Sequence, residues 1–348
     1  MDGPPLISVV TPVLNEQDNI KAFYDRVTAT LEAAAPAVRH EIVVVDDGST
    51  DHTPALLDEL ARSDSRVRVV TLSRNFGHQA AITAGIDHAA GDAVVVMDAD
   101  LQDPPEVLPD MLSRWREGFS VVYGHRTARA GERRSRLLVT KAFYRLLARL
   151  ADTPLPVDTG DFRLMDRRVV DVLREQLRES NRYIRGLVAW VGFSQCAVDF
   201  ERDPRAAGEA KYTLRRLVKL GLDGITSFSV KPLRFATRLG GVVVVVSLLY
   251  AAWIVVQRLA FPETTPEGWS SVMVALLFLG GVQLLTIGLL GEYLGRTYEE
   301  TKRRPLYVVA QRSNLDRPGD RSPPGAEQAA TEDGARAGRA VRRRGGER

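Results

Sequence analysis

Residues 94–105 read VVVMDADLQDPP, so that four apolar side chains, Val94 to Met97, run directly into Asp98, Asp100 and Asp103. A short apolar run without alternation is the form of a strand covered on both faces, the habit of parallel sheets flanked by helices. Three carboxylates crowded at the end of such a strand repel one another unless a cation or hydrogen-bond donors compensate them. Asp-x-Asp sets two carboxylates on one side of an extended chain, and hard oxygen ligands of this kind suit Mg²⁺ or Mn²⁺. Gln102 adds a neutral oxygen. The tripeptide alone is also the composition of a solvated turn or helix cap, so its meaning rests on what other segments bring to the same place.

Outward from this stretch, LISVVTPV, HEIVVVDD, RVRVVTLS, DAVVVMDAD and FSVVYGHR read as strands, and Glu16–Ala35 and Thr53–Ser63 as helices between them. The alternation predicts an α/β domain with a mainly parallel sheet. Ligands of such sheets lie beyond the carboxyl ends of the strands. Thr11–Glu16, Asp46–Asp51, Arg74–Gln79 and Asp98–Asp103 all stand there, and should converge on one crevice. Asp46 or Asp47 is placed to accept hydrogen bonds from a base NH or ribose hydroxyls, and Gly-Ser-Thr-Asp after them is expected to cap the helix near Thr53. The glycine-rich phosphate loop of dinucleotide folds is replaced by TPVLNE after the first strand, which argues against an NAD dehydrogenase. His78 reads as a cap or surface residue, and Tyr183 and Trp190 as packing.

The chain has 348 residues, 45% hydrophobic and 26% charged, enough for one full domain plus something smaller. Gln311–Arg348 carries nine Arg against six acidic residues, which accounts for the whole formal charge of +3 and leaves no basic surface to suggest a nucleic-acid partner. Cys196, the sole cysteine, precludes an internal disulfide and a thiolate zinc cluster, fits a reducing compartment, and reads as a small buried residue. The N-terminal MDGPPLISVV does not have the form of a cleavable leader.

Leu239–Gln257 and Trp269–Gly291 contain no charge, and each is about the length of a membrane-crossing helix. Lys231, Arg234 and Arg238 precede the first, while Arg296, Lys302, Arg303 and Arg304 follow the second, which places both ends in the cytosol by the positive-inside rule. Before them, Leu214, Leu217, Val218, Leu222 and Ile225 recur at helical spacing, with Lys211, Arg215, Arg216 and Lys219 off that stripe, as in a helix lying in the membrane interface. The expected organisation is a catalytic domain over 1–205, amphipathic interface helices over 206–238 and a transmembrane hairpin over 239–294. A juxtamembrane segment over 295–312 and a disordered tail over 313–348 complete it. Small residues in LGG and FLGG permit close helix contact, within one chain or in a homo-oligomer.

TPVLNEQDNI, VVVDDGSTDHT, LSRNFGHQAA, MDADLQDPPEVL, VVYGHR, DTGDFRLMDR and GEAKY, in this order, resemble the family 2 glycosyltransferases of the GT-A fold. The nearest branch is the polyprenyl-phosphate glycosyltransferases, which includes dolichyl-phosphate mannose synthases and bacterial undecaprenyl-phosphate glucosyltransferases. The resemblance implies that Pro12, Leu14 and Glu16 line a nucleotide pocket, with Asp46 or Asp47 on the base and Asp98 on the nucleotide-sugar. It implies that Asp98, Asp100 and Gln102 hold Mg²⁺ or Mn²⁺ with the diphosphate. Arg126, Arg136 and Thr140 match positions that receive the lipid phosphate, with Arg133 and Arg134 as alternatives in the run ERRSR. Asp158 and Asp161 match the acidic motif near the acceptor and complete, with Asp100, the catalytic set. An attacking phosphate monoester is already largely dianionic at neutral pH, so one of these acids is expected to orient rather than to act as base.

The implied activity is inverting transfer of one sugar, UDP-glucose being the first choice of donor, to polyprenyl phosphate at the cytosolic face of the inner membrane. A processive polysaccharide synthase and a non-catalytic membrane scaffold are the alternatives. The first lacks its Gln-x-x-Arg-Trp motif here, and the second has no use for Asp98, Asp100 and Gln102.

Overall fold

The computed structural model describes residues 3–34, 38–127, 159–201, 231–260 and 268–315, which divide between two compact units. The first unit is the sheet domain. Its elements are β1 (Leu6–Val13), α1 (Ile20–Ala34), β2 (Arg39–Asp46), α2 (Thr53–Ser63), β3 (Val67–Leu72), α3 (His78–His88), β4 (Ala93–Val96), α4 (Leu108–Arg116) and β5 (Val121–Arg126). There follow β6 (Thr159–Asp166), α5 (Arg167–Glu175), α6 (Ile184–Trp190) and β7 (Gln195–Phe200), and, after the second unit, β8 (Val309–Ser313).

One eight-stranded sheet runs β7-β5-β6-β4-β1-β2-β3-β8. The apolar runs behave as expected: β1, β2, β3 and β4 are parallel, and Ile7, Val9, Val43, Val45, Val70 and Val94 are all buried beneath helices. β5 and β7 are also parallel to each other. The sheet departs from the expectation at β6, which lies antiparallel between β4 and β5, and at β8, which lies antiparallel on the free edge of β3. Neither TGDFRLMD nor VAQRS is an apolar run, so neither announces a strand.

Three local expectations are corrected. The first helix starts at Ile20 rather than near Glu16, because Glu16 O accepts from Asn19 N and Ile20 N and closes a turn there. α2 starts at Thr53 as expected, and Asp51 of Gly-Ser-Thr-Asp accepts the orphan Thr53 N–H at 3.0 Å from one position before His52. Cys196 is half-buried rather than buried, and Trp190 is 60% exposed rather than packed.

The second unit contains α7 (Lys231–Ala260) and α8 (Trp269–Thr301), of 30 and 33 residues. The two uncharged spans fall within them, and the last residues of the expected interface region, 231–238, are already part of α7. Among the described residues, Phe278–Thr301 is long and apolar enough to cross a membrane, and Ala236–Tyr250 is a shorter apolar helix. Large apolar side chains point outward on both, with Leu284 72% exposed.

Candidate active site

The site is assembled where β4 ends. β4 and β6 pair antiparallel with Val96 opposite Arg163. The same register carried two residues further sets Asp161 opposite Asp98, so the second strand brings its own acid to the acidic end of the first. Alternation along β6 puts Asp161 and Arg163 on one face and Phe162 on the other, where Phe162 is buried in the core and meets the Phe200 ring edge-on at 5.7 Å.

His78 opens α3 after Gly77, whose φ of 99° turns the chain into the helix. Its Nε2 is 3.1 Å from Asp161 Oδ2 and 3.8 Å from Asp98 Oδ1. Arg185, on α6, grips the far side of Asp161: Nε donates to Oδ1 at 2.7 Å and Nη2 to Oδ2 at 2.9 Å. Arg163 is buried below, donating from Nη2 to Gly160 O at 2.9 Å, while its Nε has no partner.

These contacts divide the charges. Burial opposes the charge of Asp161, but the hydrogen bonds from Arg185 and His78 outweigh it and hold the carboxyl far below the usual range. Burial likewise opposes the His78 imidazolium, and the Asp161 hydrogen bond with the Asp98 and Asp161 charges raises its pKa nonetheless. Asp98 is the opposite case. Burial pushes it up to about 6, against the pull of His78 and with the charges of Asp161, Asp103 and Asp100 adding to the rise. Asp98 is therefore the carboxylate whose ionisation its surroundings oppose, and 36% of its side-chain surface still faces solvent.

Asp103, by contrast, is buried and receives Arg126 Nη2 at 3.3 Å. The Arg126 guanidinium lies so close to Gly160 that a Cβ there would stand 2.5 Å from Nη2. Asp100 accepts from Gln102 N at 3.2 Å across a turn in which Leu101 has a φ of 55°.

On the nucleotide side, Asp46 and Asp47 are both buried but differ in what they hold. Asp47 Oδ1 and Oδ2 accept from Phe76 N and Gly77 N at 2.7 and 2.9 Å, fixing the turn into α3. Burial raises its pKa despite these bonds. Asp46 accepts from Ser49 N through Oδ1, and its buried Oδ2 has no partner. Leu14 is 41% exposed and Pro12 half-buried on the neighbouring strand end. Glu16 is turned toward its own helix, receiving Asn19 Nδ2 at 2.6 Å. Gly48, at a φ of 76°, lies against the Arg74 and Asn75 backbone, where a Cβ would be 2.8 to 2.9 Å away.

The structure thus brings Asp98 and Asp161 together and places Asp46, Pro12 and Leu14 along the same row of strand ends. Asp158, Arg133, Arg134, Arg136 and Thr140 lie outside the described residues. The sequence reading undervalued His78, and it missed Arg163 and Arg185. A lone Arg within the apolar run of IRGLVAW was the available signal for Arg185.

The profile of glycosyl transferase family 2 matches residues 8–174. Glycosyltransferase YkcC of Bacillus subtilis is 46% identical over 89% of this chain and 94% of its own. The chain belongs to glycosyl transferase family 2. The fold of this glycosyltransferase is accordingly the GT-A-like α/β sheet, mostly parallel, and its expected family is confirmed. The bactoprenol glucosyl transferase of Shigella phage SfV is 42% identical over 87% of the glycosyltransferase and 97% of its own length, and the Escherichia coli prophage bactoprenol glucosyl transferase homolog is 41% identical over 87% and 98%. The GtrB C-terminal hairpin profile matches residues 231–297, which are α7 and most of α8. The family 2 match includes His78, Asp98 and Asp161 and ends before Arg185.

Proposed function

We propose that this glycosyltransferase moves one glucose from UDP-glucose to the phosphate of a polyprenyl lipid, with inversion at the anomeric carbon, at the cytosolic face of the membrane. The observation that carries the reading is the near full-length similarity to the bactoprenol glucosyl transferases, hairpin included. The hairpin then anchors the enzyme with both ends in the cytosol, where nucleotide-sugar and lipid phosphate meet.

The donor chemistry follows the strand ends. Asp46, with one oxygen unpartnered, takes the base NH, and Pro12 and Leu14 line the pocket, whose edge Glu16 closes with its carboxylate held by Asn19. Asp98 and Asp100 offer two carboxylates, which is what Mg²⁺ or Mn²⁺ commonly takes from a protein when phosphate oxygens complete its shell. Burial first, and then the charges of Asp161, Asp103 and Asp100, raise the Asp98 pKa to about 6, a cost that a bound cation would offset. Asp98, Asp100 and Gln102 would hold the ion, which supplies charge compensation for the departing nucleoside diphosphate.

Asp161 keeps its charge and both its oxygens are occupied, so its part is to orient His78 and Arg185 rather than to take a proton. The attacking phosphate needs no strong base, and displacement by that single nucleophile inverts the carbon. Arg126, Arg134, Arg136 and Thr140 bind the acceptor phosphate through charge-assisted hydrogen bonds, and Asp158 belongs to the acidic motif assigned to the acceptor.

The test is transfer from labelled UDP-glucose and a panel of other UDP- and GDP-sugars to polyprenyl phosphate by purified membranes. Glucose transfer that is lost with EDTA and with Asp100→Ala is expected. A different donor would correct the sugar, and no lipid-linked product from any donor would overturn the reading.

A further inference from the structure

Beyond α8 the chain re-enters the sheet domain, and its first fixed point there is a buried hydrogen bond. Tyr307 Oη donates to Asp87 Oδ2 at 2.8 Å, and Arg178 Nη1 reaches both oxygens of the same carboxylate at 2.8 Å. Asp87 is buried near the end of α3. The Tyr307 ring stands 6.3 Å from the His88 ring and packs on the cluster of Val70, Leu72, Ala81 and Ala84. Burial and the Asp87 charge push the phenol far above the usual tyrosine range, so the hydroxyl remains a donor at every physiological pH.

Arg178 belongs to the connection 176–183 between α5 and α6, and α6 carries Arg185. The other end of α3 holds the same connection where it enters α6: Gln79 Oε1 accepts from Ile184 N at 2.9 Å. α3 therefore grips the approach to Arg185 at two points, Gln79 and Asp87, separated by about 12 Å of helix. His78, which shares Asp161 with Arg185, is the residue before the first of them.

We infer that Tyr307 is a positioning residue for the active site: by holding Asp87 onto Arg178 it fixes the 176–183 connection, and so the seat of Arg185 on Asp161. Coupling of this kind runs through contiguous hydrogen bonds and packed side chains, and a displacement of about 1 Å at a reacting site is enough to cost roughly 10²-fold in rate. The inference rests on the proposed transferase activity for its kinetic readout only.

The experiment compares full-length wild type, Tyr307→Phe, Arg178→Lys and the double variant by hydrogen exchange and by transfer kinetics. Tyr307→Phe is expected to exchange roughly 10-fold faster at amides 176–185, with β1 and β2 unchanged. Its kcat should fall by roughly 10-fold with the donor KM held within about twofold, and the double variant should lose no more than the worse single one. Unchanged protection and kcat in folded Tyr307→Phe overturn the inference, and so does a uniform rise in exchange over the whole sheet, which marks a general stabilising role. If Tyr307→Phe does not fold, Arg178→Lys decides the question, because it keeps the charge and loses the double contact. If the wild type transfers no sugar, the functional reading fails while the exchange pattern still decides the positioning.

Discussion

Asp98 keeps its proton at a pH where an exposed aspartate has lost it, and this sets two measurable effects against each other. Its folded pKa, about 6, lies above the ordinary 3.8, so the carboxyl favours the fold when protonated and disfavours it increasingly as pH rises from about 4 through about 6. In EDTA at pH 7.5, Asp98→Asn should stabilise the protein by about 1 kcal/mol after allowance for solvent screening, roughly 2–4 °C in Tm. The gain should disappear near pH 4, as thermal unfolding across pH will show. The same substitution should lower transfer by roughly 10²-fold or more. Asp161→Asn has the opposite sign. It removes a charge whose lowered pKa stabilises the fold above the unfolded value and is lost toward acid pH. It also removes the carboxylate charge that Arg185 grips and that favours the charge of buried Arg163, at a cost of about 3 kcal/mol in denaturant unfolding at pH 7.

At the scale of elements, what was legible followed from how a strand is covered. β1 to β4 carry valine and isoleucine runs because helices cover both faces, and those runs located the acids at their ends. β6 holds Asp161 and Arg163 on the face toward the candidate site, and these charged residues stand where apolar ones would have revealed the strand. β8 is an exposed edge strand that meets the core mainly through its flanks, Tyr307 and Leu315, and its own Gln311 and Arg312 read as a juxtamembrane segment. His78 was undervalued because its partner stands 83 positions away on that unrecognised strand. The edge is nevertheless firmly held: Asn314 Nδ2 donates to Ala61 O and Val67 O at 2.6 and 2.8 Å, and Leu315 is buried. Leu315→Ala should therefore cost about 2–3 kcal/mol, read as a lower denaturant midpoint with an unchanged slope.

For the whole molecule, the proposed topology puts residues 231 and 304 on one side of the membrane and the turn before Trp269 on the other. The sole cysteine makes this simple to test. In a Cys196→Ser background, Gly268→Cys should react with a membrane-impermeant maleimide added to intact cells, whereas Gln311→Cys should react only after the cells are opened. Labelling of both from outside, or of neither, would contradict the hairpin.

The pairing of β8 with β3 joins residues 69–72 to residues 309–313 in a single sheet, with both hairpin helices encoded between them. A ribosome delivers these segments in order. The nascent catalytic domain must wait with β3 as a bare edge while α7 and α8 are being made, and bare edges are where chains pair with the wrong partner. Among the described residues, the last strand to leave the ribosome seals that edge, so completion of the sheet follows the emergence of the hairpin.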